Sequence, residues 1–172
     1  SLQGAVAAGI LGCGPVILGT AELCAKLLVE ARGKGGAPLA VAMEMATAIK
    51  AAGGKAPGFG HPVHRPLDPR AERILELADA RGVSGAHVAL ARAFREAVAK
   101  AWGKPLVMNV SMPIAAVMLD LGFPAGMVKA VPLLARTASI LAHLVEEQQS
   151  PIGFLMAGKA EEAISYIKDD KP

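Results

Sequence analysis

The chain has 172 residues, enough for one ordinary domain or two small lobes with a real hydrophobic core. Hydrophobic residues make up 53% of it, but only one tryptophan, one tyrosine and four phenylalanines are present, so the core must be built mainly from aliphatic side chains and methionine. The net charge of +3 is mild, and lysines and arginines are interspersed with acids, unlike the basic patch of a nucleic-acid-binding protein. We therefore expect no nucleic-acid partner.

The cysteines and the uncharged N-terminal stretch bear on compartment and membrane. Cys13 and Cys24 lie in apolar surroundings without metal-ligand spacing, which favours buried thiols in a reducing cytoplasm over a disulfide or a metal site. Residues 1–21 carry no charged side chain, but their glycines, their proline and the lack of a basic leader argue against a membrane span or a signal peptide. The chain starts without methionine in mid-pattern, which suggests a portion of a longer protein.

Apolar periodicity predicts helices along the first part of the chain. A helix over residues 1–11 is expected to break at residues 12–15, and Thr20 is expected to cap a second helix over 21–32. Pro38 then opens a methionine-rich helix that runs to about residue 52, where two glycines end it. No segment shows the sustained alternation typical of strands, so the predicted fold class is all-α.

The second half continues the helical pattern after a proline-rich loop. Asp68 is the predicted N-cap of a helix that begins with Pro69 and ends near residue 81, and Ser84 is the predicted N-cap of a helix to about residue 102. Further helices are predicted over residues 112–121, 125–130, 132–149 and 157–167.

The most unusual stretch is residues 55–70, which contains two histidines, two arginines and four prolines. Prolines fix φ and glycines open otherwise closed conformations, so this backbone is expected to be fixed. A fixed loop with imidazole and guanidinium groups suits an anionic substrate. His61 could instead be a satisfied structural histidine, but the preceding glycines and Arg70 near a helix start favour a ligand site.

Arg136 and the remaining histidines are the other candidates for a functional role. Arg136 lies among apolar neighbours, so burying it would require an anionic partner, either a ligand or an internal glutamate. His87 and His143 lie in predicted helices and are expected to be structural, while the direction of His64 is not predictable. The sequence has no Ser-His-Asp order, P-loop or His/Cys cluster, which disfavours hydrolase, nucleotide-phosphate and metalloenzyme functions.

Several separated motifs together resemble the citrate synthase family, nearest its citryl-CoA lyase or citrate synthase-like branch. They are Gly58-Phe59-Gly60-His61, Asp68-Pro69-Arg70-Ala71, Asn109-Val110, Ala135-Arg136-Thr137 and Ala142-His143. The resemblance covers essentially the whole chain, which would correspond to the C-terminal two-thirds of a family member.

This resemblance implies a two-lobed, all-helical subunit that forms a cytoplasmic homodimer. Residues 1–17 and 114–172 would belong to a large domain and residues 18–113 to a small domain. The substrates would be a coenzyme A thioester and a small carboxylate: acetyl-CoA and oxaloacetate condense to citrate, or citryl-CoA is cleaved in the reverse sense. The resemblance implies neither a metal nor a membrane.

It also implies roles for particular residues. His61 would contact the oxaloacetate carbonyl or the citryl hydroxyl as general acid or base, and Arg70 and Arg136 would bind the dicarboxylate. The positions expected along coenzyme A are Lys55, Pro57, Gly58, Phe59, Gly60 and Asn109.

Three positions depart from the synthase pattern. Ile17 stands where a histidine would stabilise the acetyl-CoA enol, Ser111 where a carboxylate would remove the α-proton, and Ser150 where an arginine would reach the partner's site. Losing the base and the enol donor should cost several powers of ten in condensation rate, since one acid–base group contributes about 10²–10⁴. Two hypotheses follow: a citryl-CoA lyase-type enzyme, or a non-catalytic homologue that binds CoA thioesters or carboxylates.

Overall fold

The computed structural model describes residues 1–165, apart from the side chains of residues 15 and 16. Within that range the chain forms seven α-helices and one 3₁₀ helix, and no β-strand. The α-helices are α1 (Leu2–Lys34), α2 (Pro38–Ala51), α3 (Pro69–Ala80), α4 (Ala86–Trp102), α5 (Ser111–Asp120), α6 (Ala130–Gln149) and α7 (Gly153–Ala163); the 3₁₀ helix is Ala125–Met127. The predicted all-α fold class is confirmed.

The chain divides into two compact units. The first, here called the central unit, is Cys13–Leu134, and the second, the terminal unit, combines Ser1–Gly12 with Ala135–Pro172. The assignment of residues 1–17 and 114–172 to a large domain and of 18–113 to a small one stays a prediction.

The central unit has a closed aliphatic core. Helix α2 packs on α4, and α5 packs on both α3 and α4. The largest side chains that are fully buried there include Phe94, Leu28, Met112, Val88, Val98, Val128 and Cys24. Phe94 is the only aromatic side chain among them, as the composition predicted.

The terminal unit is different, because none of its described residues is buried. Neither α6 nor α7 contains a buried residue. Several of its large apolar side chains are exposed, among them Leu11, Leu141, Val145, Phe154, Leu155 and Met156.

The expected break in the first helix is confirmed. Helix α1 spans Leu2–Lys34 as two helical segments, Leu2–Gly14 and Ile17–Lys34, with a kink at Gly14, whose φ is 57°. A glycine accepts positive φ at little cost, so the chain can bend here and return to helical geometry. The second segment begins at Ile17, so Thr20 lies inside α1 and the prediction that it is an N-cap was wrong.

Two helix starts were predicted correctly. Helix α2 begins at Pro38, and α3 begins at Pro69 with Asp68 as its N-cap, whose carboxylate accepts the N–H of Arg70. In both cases proline sits where the missing N–H is not needed, so the signal is local.

The predicted cap of α4 was wrong. Its N-cap is Gly85, and the Ser84 hydroxyl instead donates to Asp79 at 2.6 Å. The carboxylate of Asp120, at the end of α5, accepts the N–H groups of Gly85, His87 and Val88. The N-terminus of α4 is thus capped by Asp120, which is distant in sequence, and not by its neighbour Ser84.

Helix α7 begins at Gly153, four residues earlier than predicted. Glu147 accepts the N–H groups of Ile152 and Gly153, each at 3.0 Å, and this contact supports the earlier start. The helix ends at Ala163, and the predicted end at residue 167 lies outside the described residues.

One stretch, Ala125–Gln149, is long and apolar enough to cross a membrane, with a mean hydropathy of 1.4. Leu2–Gly14 and Ile17–Lys34 would pass the same test together as one bent span. Core helices of soluble proteins also pass it, so length and composition alone do not assign the chain to a membrane.

Candidate functional site

The loop between α2 and α3 is fixed by pairing with the segment before α5. Phe59 and Met108 form an antiparallel bridge, Gly60 N–H donates to the Val107 carbonyl at 2.7 Å, and Asn109 N–H donates to the Gly58 carbonyl at 2.9 Å. The Asn109 side chain adds a bond from Nδ2 to the Gly60 carbonyl at 3.0 Å. These bonds satisfy the loop backbone, and the fixed loop expected from the sequence is what the structure shows.

Gly58 allows this pairing because no larger residue would fit. Its φ is +79°, and an added Cβ would lie 2.8 Å from both Cys24 Sγ and Met112 Cβ. Burial raises the pKa of the Cys24 thiol to about 12, so this sulfur is an uncharged packing surface beneath the loop.

Asp68 is the buried anchor of the site. Its side chain is fully buried, and it accepts bonds from Arg70 N–H (3.1 Å), Nε (3.0 Å) and Nη2 (2.8 Å) and from Val110 N–H (3.1 Å). Burial alone would raise the pKa of this carboxyl group, but the Arg70 guanidinium and the backbone donors lower it to about 2. Sequence reasoning identified Asp68 only as a helix cap and missed this role.

His61 is oriented by the backbone of its own loop. Its Nδ1 lies 3.0 Å from Val63 N and 2.9 Å from His64 N, and both N–H groups can only donate. Its Nε2 lies 3.1 Å from Arg70 Nη2, which is also only a donor.

The tautomer of His61 follows from this competition. If Nδ1 carried the proton, this N–H would face the two backbone N–H groups of Val63 and His64, which are fixed. If Nε2 carries it, the N–H faces one donor only, on the half-exposed Arg70 side chain. We therefore assign the tautomer that carries its proton on Nε2. Nε2–H and Arg70 Nη2 are then two donors 3.1 Å apart, and an acceptor oxygen near both would satisfy them.

His64 completes a cluster that could be mistaken for a metal site. Its ring centroid lies 4.4 Å from that of His61, and one ligand atom each from His61, His64 and Asp68 lies within 4.8 Å of the others. However, the Asp68 oxygens already accept from Arg70 and Val110, and the Arg70 cation lies against them. Bringing a metal cation here would require displacing those donors, so this donor set does not suit a metal.

The positions expected along coenzyme A fall into two groups. Lys55 and Gly60 are exposed, Pro57 and Phe59 are partly buried, and Gly58 is buried. Asn109 accepts the Ser111 N–H with Oδ1 at 3.1 Å and donates to the loop with Nδ2, so it holds the loop in place. Contact with a CoA thioester stays a prediction for all of them.

The three departing positions carry no ionisable group into the structure. Ile17 lies in α1 and is 63% exposed. Ser111 is the first residue of α5, and Ser150 directly follows α6, where its N–H donates to the Glu146 carbonyl. In the terminal unit, Ser150 also lines a cavity of about 480 Å³, whose lining is half apolar (Ile140, Leu144, Ile152 and Met156) and half polar.

Arg136 lies in the terminal unit and is exposed on α6. The alternative of an internal glutamate partner is wrong for the described residues, where no carboxylate pairs with Arg136. Its apolar sequence neighbours do not enclose it, because this helix has no buried residue. Its guanidinium is therefore available to an external anion.

The other histidines contact acids. His87 Nδ1 lies 2.8 Å from Asp120 Oδ1 at the start of α4, which fits the structural role expected for it. His143 is exposed and lies 2.7 Å from Glu146, one turn along α6.

The chain is similar to known proteins of one family. The profile of the citrate synthase C-terminal domain matches residues 1–153. The structure is similar to citryl-CoA lyase from Hydrogenobacter thermophilus, with a TM-score of 0.80 and 26% identity over 100% of this chain and 66% of that chain. A search of curated proteins found no significant match.

Two further solved structures share the fold. Citrate synthase from Thermotoga maritima MSB8 has a TM-score of 0.69 and 22% identity over 93% of this chain and 41% of that chain. ATP citrate lyase from Methanosaeta concilii, in complex with (3S)-citryl-CoA, has a TM-score of 0.74 and 20% identity over 99% of this chain and 29% of that chain. The chain thus spans 66% or less of the length of these three proteins. Because the family profile matches most of its residues, this chain belongs to the citrate synthase family, through the C-terminal domain.

Proposed function

We propose that this chain is the C-terminal part of an acyl-CoA enzyme that cleaves citryl-CoA to acetyl-CoA and oxaloacetate. The observation that carries the proposal is that His61 Nε2 and Arg70 Nη2 lie 3.1 Å apart, while His61 Nδ1 accepts two backbone N–H groups. A citryl group offers a hydroxyl oxygen next to a carboxylate, and this pair of acceptors suits one neutral donor beside one cation. The similarity to citryl-CoA lyase supports the choice of substrate class.

The cleavage step places a negative charge where His61 donates. The citryl hydroxyl gives its proton to a solvent water, the C–C bond to the acyl methylene breaks, and its electron pair leaves with the acetyl-CoA enolate, which takes a proton from solvent at carbon. The alkoxide oxygen becomes the oxaloacetate carbonyl. Because His61 Nδ1 accepts two backbone N–H bonds, Nε2 keeps its proton and stabilises the alkoxide as a hydrogen-bond donor, a narrower role than general acid or base.

The departing residues explain why we favour cleavage over condensation. Condensation starts by removing an α-proton from acetyl-CoA, and Ser111 cannot act as a carboxylate base near neutral pH. Ile17 offers no donor to the enolate. In the cleavage direction the enolate is formed by C–C scission and needs only a proton, which solvent can supply.

Arg136 and the exposed apolar surface complete the proposal. Arg136 has no partner among the described residues and would bind a second carboxylate of the substrate. The uncovered helices of the terminal unit favour a homodimer, because a stable soluble protein rarely leaves so many apolar side chains in water.

The direct test incubates the full-length protein with citryl-CoA and follows oxaloacetate release. We expect turnover, and His61→Ala should lower kcat about 10²–10³-fold, because one donor to the alkoxide is lost. His143→Ala is the matched control: an exposed histidine whose contact is with Glu146, and its kcat should stay within about twofold of the wild-type value.

A non-catalytic homologue is the second candidate, and the uncharged residues at Ile17 and Ser111 favour it. It predicts binding of CoA thioesters or carboxylates without turnover. Tight citryl-CoA binding by calorimetry together with no oxaloacetate release would establish this alternative and overturn the lyase proposal.

A further inference from the structure

Arg70 has two edges that can bind a carboxylate, and one of them is occupied. Asp68 Oδ1 accepts from Nε at 3.0 Å and Oδ2 accepts from Nη2 at 2.8 Å, so the carboxylate spans the Nε–Nη2 edge. Among the described residues nothing accepts from Nη1. Asp68 therefore leaves the Nη1–Nη2 edge open, and the Nη2 end of this edge lies within hydrogen-bond distance of His61 Nε2, at 3.1 Å.

This arrangement is fixed more firmly than a surface ion pair. Asp68 is fully buried, while the Arg70 side chain is 51% exposed, so the carboxylate is the fixed partner and the guanidinium the oriented one. Asp68 also accepts the N–H groups of Arg70 and Val110, and these bonds tie it to the starts of α3 and α5.

We propose that Asp68 is a positioning residue that turns the Nη1–Nη2 edge of Arg70 toward His61 and thereby selects a 2-oxo or 2-hydroxy carboxylate. The inference rests on the proposed function. The two donors are adjacent, so a ligand fits them best when one oxygen lies on the carbon next to its carboxylate. A dicarboxylate without that oxygen can use Arg70 but leaves Nε2–H unsatisfied.

The experiment compares Asp68→Asn with wild type, using oxaloacetate and succinate as probes in calorimetric titrations of the chain. The amide nearly preserves shape but places a donor against the Arg70 donors, which frees the guanidinium to rotate. We expect oxaloacetate affinity to fall tenfold or more, succinate affinity to change less than about threefold, and the preference for oxaloacetate to disappear.

Asp120→Asn is the matched control. Asp120 is also a buried carboxylate that caps a helix, and it contacts neither Arg70 nor His61. It should lower stability and leave both affinities unchanged. An equal loss of oxaloacetate affinity in both variants would overturn the inference, because the effect would then be a general consequence of destabilisation.

A mutant cycle with Arg70→Lys tests whether Asp68 acts through Arg70. Lysine lacks the two-edged fork, so adding Asp68→Asn to it should cost no further oxaloacetate affinity. Additive losses would contradict the proposed positioning.

A ligand-free measurement separates this inference from the proposed function. The Arg70 Nε–H signal in ¹H–¹⁵N NMR spectra should be protected from exchange in wild type and lost in Asp68→Asn. An unchanged signal overturns the positioning role. A wild-type chain with the protected signal but without measurable oxaloacetate affinity overturns the proposed function instead.

Discussion

The central unit and the terminal unit are built from the same aliphatic residue types, but only the central unit buries them. The central unit encloses a core in which Phe94, Leu28 and Met112 are fully buried. The terminal unit buries none of its described residues, although α6 and α7 carry large apolar side chains such as Leu141, Val145 and Phe154. The loop that carries His61 and Arg70 thus lies on the unit that can hold its own shape, whereas Arg136 lies on the unit whose apolar surface is uncovered.

The positions of His61, Arg70 and Asp68 do not depend on whether the apolar surface of the terminal unit is covered. Every hydrogen bond that fixes His61, Arg70 and Asp68 comes from residues of the central unit. The candidate second carboxylate ligand, Arg136, has no such support. Substitutions in the two units should therefore have unequal effects.

The largest contrast is expected for two phenylalanines. Phe94→Ala should lower the free energy of unfolding by about 3–5 kcal/mol, because it leaves a cavity in a closed core. Phe154 is 97% exposed on α7, so Phe154→Ala should lower the free energy of unfolding by less than about 0.5 kcal/mol. Urea denaturation of both variants measures the difference, and similar losses would show that the terminal unit is packed in solution.

Two glycines provide the next contrast. Gly58→Ala should destabilise the chain by about 2–4 kcal/mol, because the new Cβ meets Cys24 Sγ and Met112 Cβ and the φ is positive. Gly158→Ala meets no atom within 4 Å in α7 and should stabilise by up to about 1 kcal/mol, since alanine is the better helix former. Thermal unfolding compares them, and a Gly58→Ala variant as stable as wild type would contradict the described loop.

Acid titration distinguishes the two capping carboxylates. The folded pKa of Asp68 is lowered to about 2, so its contribution is present above about pH 4 and is lost as the pH falls toward 2. We expect wild type to lose about 2 kcal/mol more than Asp68→Asn across this window. Backbone N–H groups of Ile152 and Gly153 also lower the pKa of Glu147, but that residue lies in the terminal unit and is only partly buried.

Glu147→Gln is the matched variant for this titration. Because solvent reaches the Glu147 carboxylate and screens its interactions, the acid-dependent loss of stability of Glu147→Gln should be close to that of wild type. Measurements of unfolding free energy between pH 5 and 2 check both variants, and an equal change in Asp68→Asn and Glu147→Gln would show that burial of Asp68 is not the cause.

Local signals in the sequence predicted much of the fold. Proline at the first helical position located α2 and α3, and apolar periodicity predicted the all-α class. Thr20 failed as a cap because the helical segment after the kink at Gly14 already begins at Ile17, and Ser84 failed because Asp120 takes its place from another helix. A capping residue that comes from another helix leaves no pattern in the sequence next to the helix that it caps.

The same distinction applies to the site. The proline- and glycine-rich loop and its His61 and Arg70 could be predicted, because they are consecutive and chemically unusual. The pairing of the loop with residues 107–109 and the contact from Asp68 to Val110 could not, since both join segments more than 40 residues apart. The exposure of Arg136 was also not readable, because an apolar sequence environment does not guarantee enclosure in space.

The smallest effect on the stability of the chain, and the most informative for assembly, is expected at the surface of α7. Phe154→Ser should change unfolding free energy by less than about 0.5 kcal/mol but weaken self-association about tenfold, because the side chain is exposed in the single chain and would be covered in a homodimer. Val63→Ser is the control: this valine is 76% exposed in the central loop and should leave association unchanged. Sedimentation velocity over a range of concentrations measures both, and a wild-type chain that stays monomeric throughout would contradict the proposed homodimer. If Phe154→Ser and Val63→Ser weaken self-association equally, the interface is not confined to the terminal unit, because an exposed apolar side chain of the central unit would then contribute to it as well.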